Sequence, residues 1–291
     1  ESLSIFRAIN YAVNHGAKVI NVSLGAPGIS KIEQLAIQRA HDMGVLVVVA
    51  AGNTNDDIRE FGPSSSKHVL AVGQIDFSGV RSTVSSQGAN LALLAPGEQI
   101  YSLCSRDTKD IKPSLREFGY YKLDGTSFAA PMVSATASLI WAKNPDLTND
   151  QVRSILLETA TDMNDEGWDG MTGAGLLNAA AAMRASADES VTVMITNLRV
   201  NTDVRDKAIS LDMYGSVRGD VREYYIEVGK GKRADKFETV AGPFRDNIEY
   251  KLIDRIDIRE HMRGSNHWII RLRVVGADGQ ERIASTHFEL P

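Results

Sequence analysis

The sequence predicts an α/β fold, a doubly wound and mostly parallel sheet, followed by an antiparallel β-sandwich. Three observations carry that reading. Val45 to Ala51 is a continuous apolar run, the mark of a strand buried on both faces of a parallel sheet. Helical and strand-like patterns alternate before it and after it, as βαβ units require. From about Ser190 the pattern changes to short alternating strands with turn signals between them, which points to a sandwich. The expected domains are residues 1–188 and 189–291.

Ile5, Ile9, Ala12 and Val13 recur at helical spacing, so a helix is expected from Ser4 to His15, stopped by Gly16. Val19 to Leu24 reads as a strand ending at Gly25, and Ala26-Pro27-Gly28 as a loop. Residues 30–43 read as a helix with Ile32, Leu35, Ala36 and Ala40 on its inner face. The buried strand that follows ends at Gly52-Asn53, where Asn alone reads as a turn residue. Asp56-Asp57 reads as solvated loop. His68 to Gly73 and Leu91 to Gly97 supply two more strands.

A strand-like run from Tyr120 to Leu123 then meets a tight turn at Gly125. No charged side chain occurs between Gly125 and Ala142, so a helix there is expected to be buried all round. Pro131 places the helix start close before it, because proline is best tolerated in a first turn, and Ser127 thereby falls at the N-terminus. Unpaired N–H groups and the positive dipole end favour negative charge there. Ser127 is a candidate nucleophile on that ground, and on local features alone an N-cap as well. Thr148 to Gln151 is a capping box opening the next helix, which runs to about Thr161.

Gly125-Thr126-Ser127-Phe128-Ala129-Ala130-Pro131-Met132-Val133 resembles the nucleophile motif of the subtilisin-like serine proteases, with Phe128 in place of the usual Met. Val48-Val49-Ala50-Ala51-Gly52-Asn53 resembles the family segment whose Asn supplies an oxyanion donor. Val22-Ser23-Leu24-Gly25 resembles its substrate strand. The likeness runs from Ile5 to Met183. It implies a subtilisin-like fold, a peptide or protein substrate, and a secreted or cell-envelope location. It also implies roles. Ser127 would be the nucleophile and Asn53 an oxyanion donor. Ser23, Leu24 and Gly25 would pair with substrate, and Ala50, Ala51, Gly52 and Thr126 would line its binding cleft.

The family works by an Asp-His-Ser triad whose Asp and His motifs precede the segment matching Ile5 onward. The expectation is therefore that both come from an N-terminal subtilase piece, and that this chain alone is inactive. His15, His41 and His68 fall at structural places in the likeness. The alternative is a non-catalytic, subtilase-like binding or structural protein that acts through its β-sandwich.

Composition adds bounds. The chain has 291 residues and a formal net charge of -5, which argues against nucleic-acid partners. No run reads as a membrane span or signal peptide. The single cysteine, Cys104, excludes an internal disulfide. No cofactor is evident and no metal ligands are assigned. The loop from Asp162 begins like a calcium loop but has Gly173 where the terminal Glu belongs, so calcium is left open rather than expected. The charged stretch Ser105 to Phe118 reads as a surface insertion near the site. In the last third, strands are expected at Val191–Ile195, Ala208–Met213, Tyr224–Val228, Phe237–Val240, Trp268–Val275 and Arg282–Phe288.

Overall fold

A computed structural model describes the chain except for Glu1, Ile29, residues 104–119, 165–167, 186–190, 203–207 and 232–233, and Pro291. The expected insertion, Cys104 and the boundary near residue 188 lie outside the described residues. The elements run in order as α1 (Ser2–Asn14), β1 (Val19–Val22), β2 (Ala26–Pro27), α2 (Lys31–Asp42) and β3 (Leu46–Ala50). A single 3-10 turn (Ile58–Glu60) leads to β4 (Phe61–Gly62), β5 (Val69–Ile75), β6 (Leu91–Pro96), β7 (Ile100–Leu103) and β8 (Tyr120–Leu123). Helices α3 (Thr126–Lys143), α4 (Asn149–Glu158) and α5 (Ala179–Arg184) close the first part. Then come β9 (Thr192–Thr202), β10 (Ala208–Arg218), β11 (Val221–Lys230), β12 (Phe237–Phe244) and β13 (Ile248–Asp257). The chain ends with α6 (Ile258–His261), β14 (His267–Gly276) and β15 (Glu281–Glu289).

Four strands in the order β1-β3-β5-β6 form a parallel sheet. Every residue of β3 and β5 is buried, because helices cover both faces. On one face Val47, Val49, Ala71 and Leu94 meet Ile9 and Val13 of α1 and Ala36, Ile37 and Ala40 of α2. On the other, Val48, Leu70, Val72 and Leu93 meet Ala129, Val133, Ala137 and Ile140 of α3. The two faces alternate along β3 and β5, as the pleat requires, whereas in β6 the irregular register opposite Ala71 and Val72 puts both Ala92 and Leu93 on the α3 side.

Several expectations need correction. The inner face of α2 is Glu33, Ala36, Ile37 and Ala40, while Ile32 and Leu35 are exposed. Residues 36, 37 and 40 form the narrow stripe that faces the sheet, and 32 and 35 fall outside it. Ala26-Pro27 is no free loop: it pairs antiparallel with Phe61-Gly62. Helix α3 is buried along one face only, with Met132 and Leu139 exposed on the other. Apolar composition alone does not say how many neighbours a helix has. Asp57 is held by its own loop, accepting from the Arg59 N–H and guanidinium and capping the 3-10 turn.

The last third forms two antiparallel sheets, β13-β10-β9 and β12-β11-β14-β15. Trp268, Ile270, Leu272 and Val274 of β14 are buried, and the alternate Arg271 and Arg273 grip the buried Glu227 on β11. Strand β13 has no counterpart among the sequence expectations. A bulge opposite Met213 and Tyr214 turns Ile253 inward and leaves Leu252 exposed, so the period of two breaks mid-strand.

Candidate functional site

The site is built where β1, β3 and β8 end and α3 begins. Gly125 has φ 148°, a backbone conformation that side chains rarely adopt, and its N–H donates to the Gly97 carbonyl at 2.8 Å. That turn ends β8 and starts α3 within two residues. Gly125 has no side chain with which to cap the helix, and a remote residue does it instead. The Asn53 Oδ1 accepts from the Thr126 N–H at 2.9 Å and from the Thr126 hydroxyl at 3.0 Å. Thr126 Oγ1 in turn accepts from the Gly52 N–H at 3.1 Å.

These contacts fix the Asn53 carboxamide. The Thr126 N–H can only donate, so the amide oxygen must face it, and the Nδ2 donors are left for another acceptor. Gly52, at φ 110°, gives the turn out of β3 that brings Asn53 to the helix start. Ser127 is the second residue of α3, and its N–H is one of the first-turn donors that no helical carbonyl reaches. Its hydroxyl lies 3.4 Å from the Ser23 carbonyl, and the Ser23 hydroxyl donates to the Ser127 carbonyl at 2.8 Å.

Leu24, Gly25, Ala50, Ala51, Gly52, Asn53, Thr126 and Ser127 line one cleft of about 360 Å³. Ser23 stands at its edge through the two bonds to Ser127. Thr54, Phe61 and Ser64 complete the lining and were missed from the sequence. Only the pairing of β4 with β2 carries Phe61 and Ser64 there, and nothing local marks them. A larger cavity, about 440 Å³, shares no lining residue with the cleft. Walled by residues such as Trp168, Met194 and Ala284, it offers no histidine or cysteine and is not the site of choice.

No histidine bonds to Ser127 among the described residues. The His15 Nδ1 pairs with the Tyr11 carbonyl at 2.8 Å, and the His41 Nε2 with Asp150 at 3.1 Å. His68 packs its ring against His41 at 4.6 Å. Nor, among the described residues, do three or more His, Cys, Asp or Glu gather to hold a metal. What the arrangement offers is a hydroxyl at a helix N-terminus, flanked by a main-chain donor and an anchored amide donor. Such donors suit an oxygen that gains negative charge during acyl transfer.

A model of the Subtilase family, peptidase S8, matches residues 1–175. Subtilisin DY of Bacillus licheniformis is 37% identical over 182 residues, covering 62% of this chain and 61% of that protein. Subtilisin Savinase of Lederbergia lenta is 36% identical over 181 residues, covering 62% of each. The chain therefore spans about three-fifths of the length of these curated relatives. Among solved structures, a lanthipeptide protease aligns with TM-score 0.58 at 29% identity, covering 63% of this chain and 66% of the other. MycP1 with its N-terminal propeptide removed aligns with TM-score 0.55 at 32% identity, covering 64% and 67%.

Proposed function

The chain belongs to the subtilase family, and we propose that it is the nucleophile-bearing portion of a serine endopeptidase. The observation that supports this best is the join at Asn53: its oxygen is tied to Thr126, the residue before Ser127, which leaves its Nδ2 as a donor in the cleft that Asn53 and Ser127 both line. In the proposed reaction the Ser127 Oγ attacks the substrate carbonyl carbon. The carbonyl oxygen takes the charge and is held by Asn53 Nδ2 and the Ser127 N–H. The proton of the hydroxyl passes to a histidine, which later gives it to the leaving amine, and an aspartate orients that histidine. We assign both residues to sequence outside Glu1–Pro291. Substrate is an extended peptide paired with the backbone of Ser23, Leu24 and Gly25, its side chain before the scissile bond facing Ala50 to Gly52.

Residues 189–291 are proposed to be a separate accessory β-sandwich made from the two antiparallel sheets. Secretion is the location the family likeness favours.

The test is covalent labelling. Without a base a serine hydroxyl is a weak nucleophile, so Glu1–Pro291 alone should not react with a fluorophosphonate. Addition of a segment carrying the His and Asp motifs should restore labelling, and Ser127→Ala should abolish it. Rapid labelling of Ser127 in the purified chain, with no second chain by mass spectrometry, would place the base inside these residues and overturn the assignment.

A further inference from the structure

The carbonyl of Ser127 lacks the partner that a helix normally provides. In a helix beginning at Thr126, the oxygen of residue 127 takes the N–H of residue 131. Residue 131 is proline and has none. Pro131 therefore lies one turn deeper than the sequence reading assumed, where its missing N–H leaves a main-chain acceptor unpaired. The Ser23 hydroxyl, from the loop after β1, donates to that acceptor at 2.8 Å.

Two further bonds decide which way this hydroxyl points. The Asn21 Nδ2 donates to Ser23 Oγ at 2.9 Å, which leaves the single Ser23 proton for an acceptor elsewhere. Ser134, about two turns further along α3 on the same side as Ser127, donates to Asn21 Oδ1 at 3.0 Å and so holds the amide with its nitrogen on Ser23. Its oxygen also lies 3.1 Å from the Ala130 carbonyl, so the one proton serves either acceptor at a time. The result is a short chain of bonds, from α3 through β1 and back to α3, that ends on the carbonyl of Ser127.

We infer that the Ser23 side chain is a positioning residue for Ser127: its hydroxyl stands in for the N–H that Pro131 lacks and fixes the first turn of α3 against the strand that takes the substrate. This rests on the reading of Ser127 as nucleophile. The role is distinct from the main-chain pairing proposed for Ser23, because it needs the hydroxyl and not the backbone. It matters because both the attacking Oγ and the Ser127 N–H ride on that turn, and a shift of about 1 Å in such groups can cost up to 10²-fold in rate.

The experiment is a double-mutant cycle in the protease completed at its N-terminus. Ser23→Ala keeps the backbone and should lower kcat about tenfold, with KM changed less than about twofold. The rate of fluorophosphonate labelling should fall in step. Ser23→Thr, which keeps a hydroxyl, should recover most of the loss. Pro131→Ala supplies an N–H to the Ser127 carbonyl, so in that background Ser23→Ala should cost less than about threefold. Asn21→Ala, which frees the hydroxyl rotor without removing it, should lower kcat in the same direction by a smaller factor. The inference is overturned by a kcat insensitive to Ser23→Ala, by a rise in KM alone, or by an equal loss in both backgrounds. Those results leave the nucleophile reading standing, whereas cleavage that survives Ser127→Ala would remove that reading itself.

Discussion

At the scale of single residues, the site depends on Asn53 having its two ends committed differently. Its oxygen caps α3 through the Thr126 N–H and hydroxyl, and its nitrogen is the donor left over. Asn53→Ala in the completed enzyme therefore removes a cap and an oxyanion donor together. The expected loss is about 10²–10³-fold in kcat, the magnitude subtilisin itself gives for such a donor, with little change in KM. Steady-state kinetics on a small peptide substrate checks the split. A near-normal kcat would return Asn53 to the role of a turn and capping residue.

At the scale of elements, α3 is positioned by close contact. Ala129, Ala130 and Ala137 are fully buried against the sheet, and small side chains let the helix approach it. Ala137→Leu should overfill that contact and destabilise the fold by about 1–3 kcal/mol, read from the midpoint of chemical denaturation. The next helix is held from its first residue. Thr148 accepts from the Gln151 N–H, and the Gln151 side chain accepts from the Thr148 N–H at 2.9 Å. Thr148→Ala should cost about 1 kcal/mol in the same measurement, with kcat unchanged because α4 does not touch the cleft. The helix also ties its neighbours together, since Asn149 donates to the His41 carbonyl and Arg153 to the Val69 carbonyl.

At the scale of the whole molecule, one polar cluster joins the parallel-sheet part to the antiparallel part. Asp150 accepts from His41 and pairs with Arg218 on β10. Asp150 sits in a desolvating environment that alone would raise its pKa, but His41 and Arg218 hold it down to about 2. His68, its ring packed at a tilt against His41, is pushed down to about 4 by desolvation first and then by His41 and Lys67. The folded state therefore keeps His68 neutral, while an unfolded chain takes up its proton near 6.5. Stability should fall as pH drops from about 6.5 to 4, because the unfolded state binds the extra proton over that range. His68→Gln should flatten this part of the melting-temperature profile; parallel profiles for the two proteins would show that His68 is charged in the fold. Glu158 works the other way. Crowding by protein atoms raises its pKa against the pull of Arg282, although its surface is open to water, which weakens the effect. The comparison of variant with parent isolates His68 from it.

The sequence by itself determined the layers and the order of the site motifs. An unbroken apolar run such as Val45 to Ala51 has few homes other than a covered parallel sheet, and strict alternation such as Trp268 to Val275 few other than a half-buried antiparallel one. The capping box at Thr148 was legible for the same reason: its partners are three residues apart. Tertiary structure alone decided what depends on residues far apart in the chain. Asn53 and Thr126 meet across 73 positions, and Ser23 and Ser127 across 104, so neither bond leaves a local trace. The same holds for Phe61 and Ser64 in the cleft, which arrive by the pairing of two-residue strands. Which side of an apolar helix faces water was likewise beyond the pattern: the sequence predicts α3 buried all round, yet it carries Met132 and Leu139 outward and Ala137 inward. Burial is set by what stands opposite a side chain, and a one-dimensional pattern records only the side chain itself.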